Sequence, residues 1–474
     1  MVHPVTSPTL HIRGKSINVV KGWNIPPLIV VRGIEMLTRK MIGSLTLLIL
    51  FTLLAGCVNK STHAPIILTI NYPSERLFYQ KYGHDFENKY PDITIKVVNQ
   101  DLLENSDTLE LDVVYIDQLQ LYNQFIDEGK LMNLDSVLQE NSYPFSELSP
   151  VVQDAVRSKA DDSIYGLSPS FISHALFYNK DLFEEFGVPF PSNQMTWSEV
   201  FELARRFPNH NEAGERLYGF KSNYYTSIAF SIILRAGQTE GLTFITPKTL
   251  KVSFDSAEWK KIFQEVVDSF SKGVIYDQED SGTGEVEPSP ILTGQAAMEI
   301  HSNSMAYNFD SYSEFIGASK INWDLVTVPV ATRNKDQSDY YDVQEIFSIS
   351  NTTNYDQESW KLVEFITSND QNIRNNFDNQ LSNALPAKIN LIEPIGDHDL
   401  SPLYILQPIQ YSNDPYDYVH YEILSAFKEV GKKVIEDAIQ NTISIDEAIK
   451  QIEVEGQQVI DEVKMKFEAK TTKN

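Results

Sequence analysis

The sequence predicts an α/β fold built on a mainly parallel sheet, and three observations carry that expectation. Strand-like runs alternate with helical periods at βαβ spacing through the first part of the chain. A hydrophobic content of 42%, with aromatics at 11%, supplies enough apolar surface for real cores and argues against disorder. The length of 474 residues gives two or three domains at roughly 150 residues each. The formal charge of −26 argues against a phosphate-backbone partner, whose footprint is basic, so no nucleic acid is expected. A single cysteine excludes an intramolecular disulfide framework and a Cys-based zinc site.

Taken in order, the elements begin with the strand-like run Ile66–Ile70. A helical stretch from Ser74 to Tyr90 follows, with Leu77, Phe78, Tyr82 and Phe86 near helical spacing and a stop before Pro91. Ile93–Val98 alternates and is β-branched, so it reads as a second strand; Leu111–Ile116 is a third, and 117–129 a helix ending near Gly129. Ser149–Arg157 reads as helical, Ile164–Phe171 as extended and punctuated by Pro and Gly, and Ala175–Asn179 as a short strand. A short helix at 180–187 closes on Gly187. Thr196-Trp-Ser-Glu199 is a capping box opening a helix to about Phe207. From 224 to 330 the pattern is mostly helical, with Ala296–Ile300 and Leu325–Pro329 as strands. Glu345–Ser350 is a further strand, and 355–369 a helix with Trp360, Val363, Phe365 and Ile366 inward. A helix at about 416–440 precedes the capping box Ser444-Ile-Asp-Glu447 and a last helix to about 468.

Charge divides the chain at its cysteine. Residues 1–56 hold six bases and one acid, whereas residues 57–474 hold 33 bases and 64 acids, a net of −31. Arg39-Lys40 precede a 14-residue mostly apolar run and the ending Leu54-Ala55-Gly56-Cys57. This is the layout of an export signal and too short to span a bilayer comfortably. The ending resembles the bacterial lipobox, which implies cleavage before Cys57 and diacylation of its sulfur, giving two-chain anchoring on the extracytoplasmic face of the cell membrane. Residues 57–65 are expected to act as a tether. Residues 1–35 sit upstream of a complete signal, and translation is expected to start at Met36.

Searches for chemistry return little. No pair among the nine histidines has one-turn spacing, and no His-Glu-x-x-His occurs, so no metal site is expected. Asp397-His398-Asp399 reads as a solvated turn. Aligning Asp277 as the first ligand of a calcium loop places Gly282 correctly, but Pro288 falls where the bidentate Glu must be. No phosphate-binding loop, dinucleotide fingerprint or Gly-x-Ser-x-Gly elbow is present, and no cofactor is expected. A glycosidase needs two carboxylates about 5–9 Å apart, and nothing local nominates a pair. The informative residues are aromatic and small polar side chains in non-helical segments: Tyr72-Pro73-Ser74, Asp117, Pro169-Ser170-Phe171, Tyr224-Tyr225 and His301-Ser302-Asn303-Ser304. Open α/β sheets bind ligands off the carboxyl ends of strands, and neutral polyols are held by aromatic faces and planar hydrogen-bonding groups.

These segments resemble the family of extracellular solute-binding proteins that serve ABC importers, in the sugar-binding group related to maltose-binding protein. Tyr165 to Pro191, followed by Thr196-Trp197-Ser-Glu199, follows the family's crossover segment nearly position for position. Leu111–Tyr115 through Gly129–Asp135, Gly294–Ile300, Trp360–Ser368 and Asn383–Ala387 carry the rest of the likeness, which spans about 64–470. The resemblance implies a two-lobed periplasmic-binding-protein fold of type II, with a ligand cleft between lobes joined by several crossings near Ser168–Ser173, Val328–Val330 and Asn383–Lys388. One lobe would comprise 66–168 and 329–384, the other 169–328 and 385–474. It further implies a monomeric, non-enzymatic protein that closes on a sugar or oligosaccharide and delivers it to the transmembrane subunits of an ABC permease. A different polar solute, a sensor-linked receptor of the same fold and an exported glycosidase are the alternatives. The ligand residues implied are Tyr72, Ser74, Asp117, Ser170, Phe171, Tyr224, Tyr225, His301, Asn303, Ser304, Glu345 and Tyr411. In the family's sugar binders the loops matching His301–Met305 and Tyr72-Pro73 usually or often carry a stacking tryptophan. Here neither does, and tyrosines are the available substitutes.

Overall fold

The computed structural model describes residues 66–99, 110–222, 228–277, 288–379, 381–409, 416 and 419–471. The chain divides into two units, Met1–Ala64 and Pro65–Asn474. The signal segment, Met36, Cys57 and the tether lie outside the described residues, as do Tyr224, Tyr225 and Tyr411. Everything below concerns the second unit.

Its first sheet is a βαβ arrangement completed by strands from far along the chain. β1 (Ile66–Tyr72) leads through α1 (Glu75–Phe78), a π-helical turn at Tyr79–Gly83 and α2 (His84–Lys89) to β2 (Ile93–Asn99). The stretch expected as one helix is thus broken by a π turn. Ser74 caps α1 by accepting from the Leu77 N–H at 3.3 Å. β1 and β2 pair in parallel from Ile66↔Ile93 to Tyr72↔Asn99, and β1 pairs in parallel with β3 (Val113–Ile116). All four β3 residues are buried, as a sheet covered on both faces requires. Then follow α3 (Leu119–Asp127), α4 (Asp135–Glu140), α5 (Pro150–Ala155) and β4 (Gly166–Leu167).

β5 (Ser170–Asn179) is a ten-residue strand that runs through the middle of a second sheet. The short strand expected at Ala175–Asn179 is therefore the second half of a longer one, which takes in only the last two residues of the extended segment expected at Ile164–Phe171. α6 (Lys180–Glu185) ends at Gly187, where φ is +61°, and α7 (Trp197–Ala204) opens on the expected capping box, with both reciprocal bonds formed. A helical layer follows: α8 (Ile228–Thr239), the small β6 (Ile245–Thr246) and β7 (Lys251–Val252) hairpin, and α9 (Ala257–Ser271). α8 and α9 approach so closely that a Cβ on Gly237 would lie 1.9 Å from the Trp259 ring.

β8 (Met298–Ser302), α10 (Ser304–Phe315) and β9 (Trp323–Thr327) come next, and both strands pair antiparallel with the second half of β5. β10 (Gln337–Ser338) is followed by β11 (Tyr341–Asp342), which pairs with Ile172 and Ser173 in the first half of β5. β12 (Ile346–Ile349) then inserts between β3 and β4 of the first sheet, antiparallel to both. α11 (Asp356–Ser368) and α12 (Asp370–Asp378) cover that sheet's side of the molecule, and β13 (Leu385–Pro386) returns to pair with Ser170 and Phe171. β14 (Gln407–Pro408) pairs with β10, and α13 (Tyr421–Ile439) and α14 (Ile445–Thr471) pack on each other and on α8 and α9.

The polypeptide thus passes between the two sheets three times: at Ser168–Ser170, at Tyr341–Ile346 and at Asn383–Pro386. The second passage comes later than the expected Val328–Val330. Residues 330–339 still bond to the second sheet's side, through the Thr196↔Val330 bridge, Gln194 to Asp336 at 2.8 Å and Thr332 to Glu240 at 2.7 Å.

Candidate functional site

The carboxyl ends of β1 and β3 and the amino end of antiparallel β12 share one edge of the first sheet, which brings Tyr72, Asp117 and Glu345 to one side of the molecule. Ser170 arrives there on the first crossing. The centre of this group is the Glu345 carboxylate. Its Oε1 accepts from Lys81 Nζ at 2.6 Å and from the Tyr72 hydroxyl at 3.1 Å. Its Oε2 accepts from the Tyr82 hydroxyl and Ser170 Oγ, each at 3.4 Å. A carboxylate offers about four lone-pair sites, so four donors saturate it. Lys81 is buried, with 4% of its side chain exposed, and the π turn carries it and Tyr82 toward the carboxylate. Burial first, and the Glu345 charge second, push the Tyr72, Tyr82 and Tyr115 phenols well above their ordinary range, so all three stay neutral, and Tyr72 and Tyr82 donate to the carboxylate.

Tyr72 is itself buried, meeting Phe78 and Tyr115 edge-on at 5.4 and 4.7 Å between ring centroids. Phe171 is buried against Tyr341 within the crossings. Neither ring presents a face on which a sugar could stack. Ser74 is exposed, and Asp117 is half-buried at the end of β3.

A second edge belongs to the second sheet. β8 ends at His301-Ser302, and α10 begins at Ser304. Asn303 is fully buried; its Oδ1 accepts from the Ser173 N–H at 3.1 Å and its Nδ2 donates to the Asn383 carbonyl at 2.7 Å. It therefore fastens the first crossing to the third. The Ser302 and Ser304 hydroxyls bond each other at 2.7 Å, and His301 Nδ1 lies 3.4 Å from the Ser302 carbonyl. His174 stands beside them with Nδ1 3.4 Å from the Tyr340 carbonyl, while the Arg235 guanidinium lies 3.7 Å from the Tyr340 ring centroid and pairs with Asp339 at 3.1 Å. Burial drives the His174 imidazole down to about 4; the Arg235 and His301 charges add to the effect, and the Tyr340 carbonyl opposes it. Burial likewise lowers His301.

Of the twelve residues expected at a ligand, Tyr72, Ser170 and Glu345 are thus brought into one internal polar group, and Asn303 and Phe171 into the crossings. Ser74, Asp117, His301 and Ser304 retain access. Lys81, Tyr82, His174 and Arg235 were not anticipated. Lys81 had a signal: it lies three and four residues from Phe78 and Leu77, on the apolar face of its helix. The tryptophans do not line either edge. Trp197, Trp259, Trp323 and Trp360 are all buried in packing positions, Trp323 between Phe309 and His398. Among the described residues no group of three or more His, Cys, Asp or Glu could hold a metal ion, and no helix is long and apolar enough to cross a membrane.

The sequence profile of the bacterial extracellular solute-binding proteins matches residues 72–373, which spans both sheets and two of the three crossings. The chain belongs to that family. As a solute-binding protein it shares its two-lobed architecture with solved relatives at low identity. A sugar transporter component of Rhizobium etli in an open conformation superposes with a TM-score of 0.61 at 15% identity, over 83% of this chain and 99% of the other. The sugar-binding protein MalE of Xanthomonas citri gives 0.60 at 16%, over 85% and 99%. A curated relative, the sn-glycerol-3-phosphate-binding periplasmic protein UgpB of Agrobacterium fabrum, is 32% identical over 103 residues. That match spans 21% of this chain and 22% of the relative. Family and fold are those of binding proteins of ABC importers rather than of enzymes.

Proposed function

We propose that this protein captures a sugar or oligosaccharide between its lobes and hands it to the transmembrane subunits of an ABC permease, while Cys57 carries the lipid that holds it at the extracytoplasmic face of the membrane. The observation that carries the reading is that each of the two sheets ends in a group of hydroxyl-bearing or imidazole side chains beside the three chain crossings that join them. Ser74 and Asp117 on one edge and His301 and Ser304 on the other would make polar contacts, and Tyr224, Tyr225 and Tyr411 would supply aromatic faces. Tyr72, Ser170, Phe171, Asn303 and Glu345 would hold the walls. Closure would be driven by the ligand's higher affinity for the closed state. The lobes would divide as 66–168 with β12, α11 and α12, against β5 through β10 with 385–474. The protein would act as a monomer without catalysing a reaction.

A thermal-shift screen of residues 58–474 against a broad oligosaccharide set tests the carbohydrate reading. A bound sugar is expected to raise the melting temperature as its concentration passes Kd. No rise with any sugar would sink the reading, and turnover of a glycoside would replace it with an exported enzyme. The second reading, a phosphorylated polyol, is favoured by the relatives that bind sn-glycerol 3-phosphate.

A further inference from the structure

Asn303 stands where β8 gives way to α10, and its bonds reach well beyond its own loop. The pairing of β8 with β5 runs to Ser302, opposite His174. One residue on, Asn303 takes φ of −53° and ψ of −22°, which turns the backbone out of the strand toward α10. Its N–H still reaches the Ser173 carbonyl at 2.7 Å, but its carbonyl has turned away and accepts from the Ala306 N–H at 3.1 Å. The side chain takes over as the missing strand partner, with Oδ1 accepting from the Ser173 N–H at 3.1 Å. Nδ2 donates to the Asn383 carbonyl at 2.7 Å, just ahead of β13. A planar carboxamide can accept on one side and donate on the other. Here both partners are backbone groups of the crossings. Ser173 is itself buried, so removing the amide leaves its N–H without a partner.

Three residues earlier on β5, Ser170 is held from the other side, its Oγ donating to Glu345 at the start of β12 at 3.4 Å. Only Phe171 and Ile172 lie between the residue tied to the first sheet's carboxylate and the residue tied to the second sheet's loop. Phe171 packs edge-on against Tyr341, and Ile172 and Ser173 pair with β11.

We propose that Asn303 is a positioning residue for lobe closure: it makes the loop His301–Ser304 one body with the crossings at Ser173 and Asn383, so that the angle between the two sheets follows that loop and β5 bends at Phe171 and Ile172. The link is carried by the side-chain amide. The further step, that a solute held on the loop drives the angle, rests on the carbohydrate reading above.

The test is a distance measurement by double electron–electron resonance on residues 58–474, which contain the whole second unit and no cysteine. Glu140→Cys in α4 and Lys261→Cys in α9, both exposed, carry the spin labels. Without added solute, Asn303→Ala is expected to widen the distance distribution or to lift a second distance above the roughly 10% that bounds an ordinary minor state. Asn303→Asp keeps an acceptor for Ser173 and loses the amide donor to Asn383. It is expected to give a smaller change of the same kind, and it decides the matter should the alanine variant not fold. Asn179→Ala is the control: Asn179 is buried at the far end of β5 and caps α6, so its loss lowers stability without touching the crossings. Its distribution should match wild type. A wild-type distribution in the folded Asn303 variant overturns the inference. An equal change in Asn179→Ala also overturns it, since loss of stability alone would then move the lobes. Adding the sugar with the largest melting shift in the screen above should draw wild type to a single distance and Asn303→Ala less completely; equal response at saturation overturns the inference. If no sugar binds, the carbohydrate reading alone fails, because the solute-free comparison decides the role of Asn303.

Discussion

At the scale of single residues, the polar groups divide into those that hold the walls and those that reach solvent. Glu345 illustrates the first kind. Breaking a buried ion pair by removing one partner typically costs about 3–5 kcal/mol, because the remaining charge is left without compensation. Lys81 and Glu345 therefore fix where Tyr72, Tyr82 and Ser170 sit. The sequence suggests Tyr72, Ser170 and Glu345 as ligand contacts, and the structure shows the three bonded to one another through the Glu345 carboxylate. Which hydroxyl turns inward depends on packing across 273 residues of separation, and no local pattern encodes it. His174 yields a pH prediction. Its folded value of about 4 lies below the ordinary imidazole value of 6.5, so within that window the unfolded chain holds the proton and the folded chain does not. The stability due to neutral His174 is present above about 6.5 and is lost as pH falls toward 4. Melting temperatures of wild type and His174→Gln measured across this window should diverge, with the wild type falling more steeply on acidification. Parallel curves would show that burial of this imidazole has no such effect.

At the scale of elements, local rules were legible and long-range closure was not. The capping boxes at Thr196–Glu199 and Ser444–Glu447 form as spacing requires, because their bonds span only three residues. The alternating run Ile93–Val98 is a strand, and Gly129 ends its helix region with φ of +65°. By contrast, β5 begins five residues before the strand expected at Ala175, because its first half is held by β11 and β13, which come from far along the chain. The π turn at Tyr79–Gly83 escaped notice because an inserted residue barely disturbs the apolar period around it. Gly166 is the element-scale test. A Cβ there would lie 2.4 Å from Ser348 Oγ and 2.8 Å from Ile346 Cγ2, so β4 approaches β12 only because the side chain is a hydrogen. Gly166→Ala should destabilise the protein by about 1–3 kcal/mol, the usual cost of overpacking, seen as a lower denaturant midpoint. Adding Ser348→Ala should recover part of the loss. A Gly166→Ala midpoint equal to wild type would mean the strands can part without cost.

At the scale of the whole molecule, the chain belongs to a family of extracellular solute-binding proteins, and the proposed anchoring through Cys57 is directly testable. In a bacterial host, metabolic labelling with a fatty acid should mark the full chain and leave Cys57→Ser unlabelled, with the variant shifting from the membrane fraction to the medium or periplasm. Equal labelling of the two would remove Cys57 from that role. One consequence of the topology concerns the order in which the first sheet can be completed. β12, which fills the gap between β3 and β4, is made some 180 residues after β4. Until that strand has been synthesised, β3 keeps an open edge and β4 has no partner in the first sheet. Pairings of such sequence separation also form slowly, since the loop between them must be ordered first. A chain made from its first residue onward therefore carries β1, β2, β3 and β4 through the synthesis of β5, β8, β9 and β11 of the second sheet before β12 can join them. The first sheet is thereby completed only once the chain has been made as far as Ile349.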